Sequence, residues 1–176
     1  PRVIKPLIQA LNDPNPRVIS AAANSLGAQG ITQASTPIFE CFIRCRTAWQ
    51  LIRAAGYKED EMDEDYSTSK VQEYQDLQRA AAHCLNALVR LQATRFGPML
   101  AEMISELDWI LEDGPTDFQV SLTRALRMLV HDKDPELKRR LKWMEEAIAD
   151  ESKRQLEWME EAKTHEGKGR NFFIKD

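Results

Sequence analysis

At 176 residues, with 43% hydrophobic and 30% charged side chains, the chain has the make-up of one globular domain or a short stack of repeats, not of a disordered segment. No apolar run reaches the roughly 18 residues that span a bilayer and no secretory leader opens the chain, which points to a soluble, cytoplasmic protein. The net charge of −4 is local: residues 58–65 carry one positive and six negative side chains, so that segment holds −5 and the rest of the chain +1.

The chain begins at Pro1 without an initiator methionine, and Val3 and Ile4 are already apolar, as expected of a processed chain or a piece of a longer array. Lys5-Pro6-Leu7-Ile8-Gln9-Ala10-Leu11 predicts a helix start, because in a first turn the N–H that proline lacks would have had no partner. Asn12-Asp13-Pro14-Asn15-Pro16 ends that helix and supplies Asn and Asp side chains to cap the next. The second helix carries Ala21-Ala22-Ala23-Asn24-Ser25-Leu26, whose small residues let a neighbour approach while the leucine fills the space between them.

The same two patterns recur. Thr36-Pro37-Ile38-Phe39-Glu40-Cys41-Phe42 opens a third helix, on which Cys41 and Cys45, four apart, share a face. Three cysteines cannot build a disulfide framework, and without a further Cys or His nearby in sequence the pair is expected to be buried thiols, not half of a metal site. The acidic run Glu59, Asp60, Glu61, Asp63, Glu64 and Asp65, followed by Tyr66-Ser67-Thr68-Ser69, has no apolar period and predicts a solvated loop over about 57–70. It lacks the calcium-loop pattern, with no glycine at the sixth position from Asp63 and Tyr74 where the closing glutamate belongs.

Tyr74, Leu77, Ala81, Cys84, Leu88 and Leu91 then follow in steps of three and four, predicting a helix of about six turns that contains Ala80-Ala81-Ala82-His83-Cys84-Leu85. Gly97-Pro98-Met99-Leu100-Ala101-Glu102-Met103 is a third proline start, with Met99, Met103, Leu107 and Ile110 as its expected seam. Glu112-Asp113-Gly114-Pro115-Thr116-Asp117 breaks it, and Ser121-Leu122-Thr123-Arg124-Ala125-Leu126 is the third second helix. From proline to leucine the three units span 20, 48 and 28 positions, so the middle one carries a surface insertion.

Asp134-Pro135-Glu136 begins a charged helical region over 132–166, in which Lys138 to Ala147 returns fifteen residues later as Lys153 to Ala162. Leu137, Leu141, Met144 and Ile148 are expected to cover the last repeat, and Trp158 and Met159 to reach past it toward a partner. Residues 167–176, with Phe172 and Phe173, form the tail.

Asp13-Pro14-Asn15-Pro16-Arg17-Val18, leading into Ala21 to Gly30, resembles the HEAT repeat, in particular the bacterial phycobilisome-lyase-like type. The likeness covers roughly residues 2–131 and is strongest in the first unit. Where the family usually has an arginine after the valine, this chain has Ile19, with Gln78 and Gln119 as counterparts. The resemblance implies an all-α fold: an α-solenoid of about three HEAT-like helix pairs over 1–131, capped by the C-terminal helix. It further implies a scaffold or adaptor that binds proteins. An enzyme-associated subunit resembling bilin lyase HEAT proteins is the alternative. A nucleic-acid binder of the HEAT-like glycosylase kind is disfavoured by the neutral body and the acidic insertion.

Residues for catalysis do not assemble in the sequence. The seven glycines form no phosphate-binding loop, His83, His131 and His165 lie in separate segments, and a single His165-Glu166 pair falls short of the repeated His-Glu pairs of iron-dependent HEAT-like hydroxylases. No catalytic residue, metal or cofactor is therefore expected. The candidate site is a row along the second helices, where corresponding positions share a face: Asn24, His83 and Arg124; Gly27, Asn86 and Arg127; Ile31, Arg90 and His131. The row turns from neutral to basic, so His83, Asn86, Arg90, Arg124, Arg127 and His131 are expected to form a polar groove for an acidic or extended segment of a partner protein. Residues 59–65 are a candidate internal occupant of it.

Overall fold

The computed structural model describes residues 3–54, 64–103, 117–129 and 135–169, with side chains from Lys70 onward in the second segment and, with gaps, as far as Glu160 in the last. Every regular element among them is helical: α1 (Ile4–Ala10), α2 (Pro16–Ala28), α3 (Ser35–Ala54), α4 (Glu64–Arg90), α5 (Gly97–Glu102), α6 (Asp117–Leu129) and α7 (Pro135–Gly169). Pro6, Pro37 and Pro98 each sit in the first turn of a helix, as the sequence predicts. Asn15 caps α2 by accepting a hydrogen bond from the Arg17 N–H at 2.9 Å, ahead of Pro16 at the first helical position.

The helices pair as α1 with α2, α3 with α4, and α5 with α6, and the second helices stack side by side as α2–α4–α6. Single 3-10 turns, Thr32–Ala34 and Thr94–Phe96, lead into the first helices of the second and third units. Leu26, Leu85 and Leu126 are all at 0% exposure, so the residue at one repeat position meets the same environment three times. Tyr74, Leu77, Ala81, Cys84 and Leu88 face the core along α4 as expected, and Leu91 does so just past its end.

Close approach of α2 and α4 depends on Gly27. A Cβ there would stand 2.8 Å from Ala87 Cα, so the two backbones are separated by no side chain at that point. After α2 the chain turns through Gly30 at φ 66°, and after α4 the equivalent turn falls on Gln92 at φ 51°. Glycine reaches this left-handed region without cost, whereas glutamine holds it against steric resistance.

The second and third units are joined through aromatic and polar contacts. Phe39 of α3 stacks on Phe96 at 4.3 Å, and Trp49 meets Phe118 of α6 edge to face at 4.6 Å. The guanidinium of Arg95 lies over the Phe96 ring and donates to Ser35 Oγ, tying the start of α3 to the approach to α5.

Three expectations need correction. Glu64 and Asp65 are not in a loop, because α4 already runs from Glu64; acidic residues suit a first helical turn, where the macrodipole is positive. The rest of the acidic run lies outside the described residues. In α5 the buried residues are Gly97 and Leu100, with Phe96 buried just before it; of the expected seam Met103, next after the helix, packs against the core, while Met99 is exposed. The helix α7 continues through His165 to Gly169, three residues into the expected tail, as an unbroken run without proline allows. Leu107, Ile110, the turn at 112–116 and residues 170–176 lie outside the described residues.

Candidate functional site

Polar contacts run along the stack of second helices. Arg17 of α2 donates through Nε to Asp76 of α4 at 2.9 Å, and Asp76 also accepts from Arg79 and Gln72. Farther along, Asn24 Nδ2 donates to His83 Nδ1 at 3.1 Å, and Asn86 Nδ2 donates to Ser121 Oγ at 2.9 Å. Ile19, Gln78 and Gln119, which replace the usual arginine, are all buried, and the rungs between turns are built from these other side chains instead.

The first end of the predicted row is closed. Gly27 is covered by Ala87, Ile31 packs against the core, and Asn24 is engaged by His83. Burial, followed by the charge of Arg79, holds the His83 pKa below the ordinary imidazole value and so favours the neutral ring, and the contact with Asn24 Nδ2 suits the tautomer whose Nδ1 accepts. His83 thus serves the contact between α2 and α4.

The second end is open. Between α4, α6 and α7 lies a hollow of about 690 Å³. Asn86, Val89 and Arg90 of α4 form one wall; Val120, Thr123, Arg124, Arg127 and Met128 of α6 form the floor; Glu145, Ile148 and Ala149 of α7 form the other wall. Of the predicted row, Asn86, Arg90, Arg124 and Arg127 come together here. His131 and the side chain of Trp158 lie outside the described residues.

Charge in the hollow is unbalanced. Arg127 donates to Glu145 at 3.0 Å, an exposed pair that links α6 to α7, while Arg90 and Arg124 have no carboxylate partner among the described residues. Val120 and Met128, at 46% and 57% exposure, present apolar surface on either side of Arg124 along α6. Asn86 Oδ1 is buried without a hydrogen-bond partner, and so is closed off from the hollow that its residue lines.

Sequence reasoning missed the apolar half of this site. Val120, Arg124 and Met128 follow at intervals of four, so a wheel of α6 shows apolar residues flanking the arginine on its outer face. The wall from α7 has no such signal, because it is created by where the helix docks. Leu141 and Met144 seat it on the core, while Trp143 remains half exposed.

Cys41 and Cys45 are joined by Cys84 from α4, and all three are free and buried. Cys41 Sγ donates to the Leu11 carbonyl at 3.3 Å, and Arg44 donates to the same oxygen at 2.8 Å, fixing the end of α1 to α3. Hydrogen bonding to Cys41, then burial, pushes the thiols of Cys45 and Cys84 above their ordinary range. No group of three or more His, Cys, Asp or Glu among the described residues has a metal-holding arrangement. In the folded protein all three cysteines are expected to resist a thiol-specific disulfide reagent over minutes and all three to react in denaturant; rapid labelling of the native chain would contradict this burial.

A stack of antiparallel helix pairs with aligned second helices is an α-solenoid. The HEAT-repeat family profile matches residues 3–28, which form α1 and α2, so the first helix pair is similar to a HEAT repeat. The match does not reach the narrower phycobilisome-lyase-like type. No curated protein and no solved structure matches the chain. No helix among the described residues is long and apolar enough to cross a membrane.

Proposed function

We propose that this protein is a protein-binding scaffold or adaptor that receives an acidic segment of its partner in the hollow between α4, α6 and α7. HEAT repeats commonly mediate protein–protein interaction, which makes binding the natural role for such a stack. One observation carries the assignment to this place: among the described residues Arg90 and Arg124 have no carboxylate partner, and they stand beside exposed Val120 and Met128. Two such guanidiniums favour carboxylates in a partner, and the apolar residues beside them supply the buried area that charge alone does not. No nucleophile with a base, paired carboxylate or metal set accompanies them among the described lining residues, so the arrangement favours recognition over catalysis.

The test is capture of partner proteins on the immobilised chain. Proteins retained by the wild type are expected to be lost at least tenfold from R90E/R124E, since each reversal replaces an attraction by a repulsion. Equal retention by both would overturn the assignment. Both arginines are exposed, so the variant is expected to keep the melting temperature of the wild type.

A further inference from the structure

The walls of the hollow limit what shape its occupant takes. Extended segments bind by main-chain hydrogen bonding to a free sheet edge or to a ladder of side-chain amides. Here the walls are helices, and their backbone groups are bonded within them. Even at the end of α4 the carbonyls of Ala87, Leu88 and Val89 are taken by the N–H groups of Leu91, Ala93 and Gln92. Among the lining side chains only Asn86 carries an amide; its Nδ2 donates to Ser121 Oγ and its Oδ1 is buried. The arginines of the lining could donate to the carbonyls of an extended chain, but its row of N–H groups would lose water and meet few acceptors, since the lining carboxylate Glu145 is already bound to Arg127.

A helix satisfies its own backbone and needs only side-chain complementarity. The hollow supplies that in the form an amphipathic helix fits. Val89, Val120, Met128 and Ile148, drawn from three helices, face the volume, and Arg90 and Arg124 border it. We infer that the occupant is an amphipathic helix of a partner protein, with apolar residues at i, i+3 or i+4, and i+7 on its buried face and Asp or Glu beside them. Its carboxylates meet Arg90 and Arg124, which are both exposed. This rests on the assignment of the hollow as the binding site and adds the conformation and charge of what binds.

Selection from a displayed library of randomised peptides of about 16 residues, long enough for roughly four turns, tests it. The full chain is the bait and R90E/R124E the counter-bait. The expected pool has apolar residues at helical spacing, an excess of Asp and Glu, no internal proline, and at least tenfold weaker recovery on the counter-bait. A pool rich in proline or in alternating apolar residues, still dependent on the two arginines, would overturn the helix while leaving the binding site in place. Recovery equal on both baits would overturn the site itself. Absence of any enrichment would overturn the inferred occupant.

Discussion

Leu85→Ala is expected to lower the unfolding free energy by roughly 2–5 kcal/mol, the range for removing a fully buried leucine from a packed core. Leu85 is at 0% exposure on α4, and α4 packs against α2, α3 and α6, so the resulting cavity lies where three units meet and cannot collapse without moving one of them. For a domain of this size the melting temperature is expected to fall on the order of 10 °C. Leu26→Ala and Leu126→Ala belong in the same range, because those leucines are equally buried at the matching positions of α2 and α6. Met99→Ala, at an exposed position on α5, is expected to change stability by no more than about 0.5 kcal/mol. Chemical denaturation of the four variants checks the equivalence. A Leu85 variant no less stable than the Met99 variant would contradict a stack held at α4.

Gly27→Leu is expected to be at least as damaging, for the opposite reason. A single Cβ at Gly27 would stand 2.8 Å from Ala87 Cα and 2.9 Å from Ala87 Cβ, and neither atom can rotate away. Overfilling a packed contact usually costs about 1–3 kcal/mol, and a whole leucine against a neighbouring backbone belongs at or above the top of that range. Gly27→Ala is the more telling variant. Helix propensity favours alanine over glycine by about 1 kcal/mol, so a site with room would be stabilised by the change. Here the clash is expected to outweigh that gain and leave a net loss of about 1 kcal/mol. Adding Ala87→Gly should recover part of the loss, since it takes away the methyl group of residue 87 while its backbone stays in the way. A more stable Gly27→Ala protein would show that α2 and α4 are farther apart than described.

These two residues also mark how far the sequence can be read. Leu26, Leu85 and Leu126 announce themselves by their repeated alanine-rich or small-residue setting, and their burial follows from the period of the helix alone. Gly27 was legible only as one more position in a row. That it is the meeting point of α2 and α4, and so closes the row at its first end, depends on the distance between two helices.

The candidate site divides in the same way. Arg90, Arg124 and Arg127 could be found by counting from the repeated leucines, and they do converge. His83 could be counted too, yet its ring faces Asn24 where α2 and α4 meet. The difference is one of direction around the helix, to which a count along the chain is only a coarse guide. Glu145, Ile148 and Ala149 were beyond reach because nothing local states which surface a charged helix will lie against.

By itself, the sequence determined the helix starts at Pro6, Pro37 and Pro98, the buried leucines and the alternation of first and second helices, because each follows from short-range rules about proline, period and burial. Only the tertiary structure decided that the row is sealed at Gly27, that α7 supplies its far wall, and that Arg127 is paired with Glu145 while Arg90 and Arg124 have no carboxylate partner among the described residues. Those outcomes depend on which surfaces meet across long stretches of chain, and spacing along a sequence carries no measure of that distance.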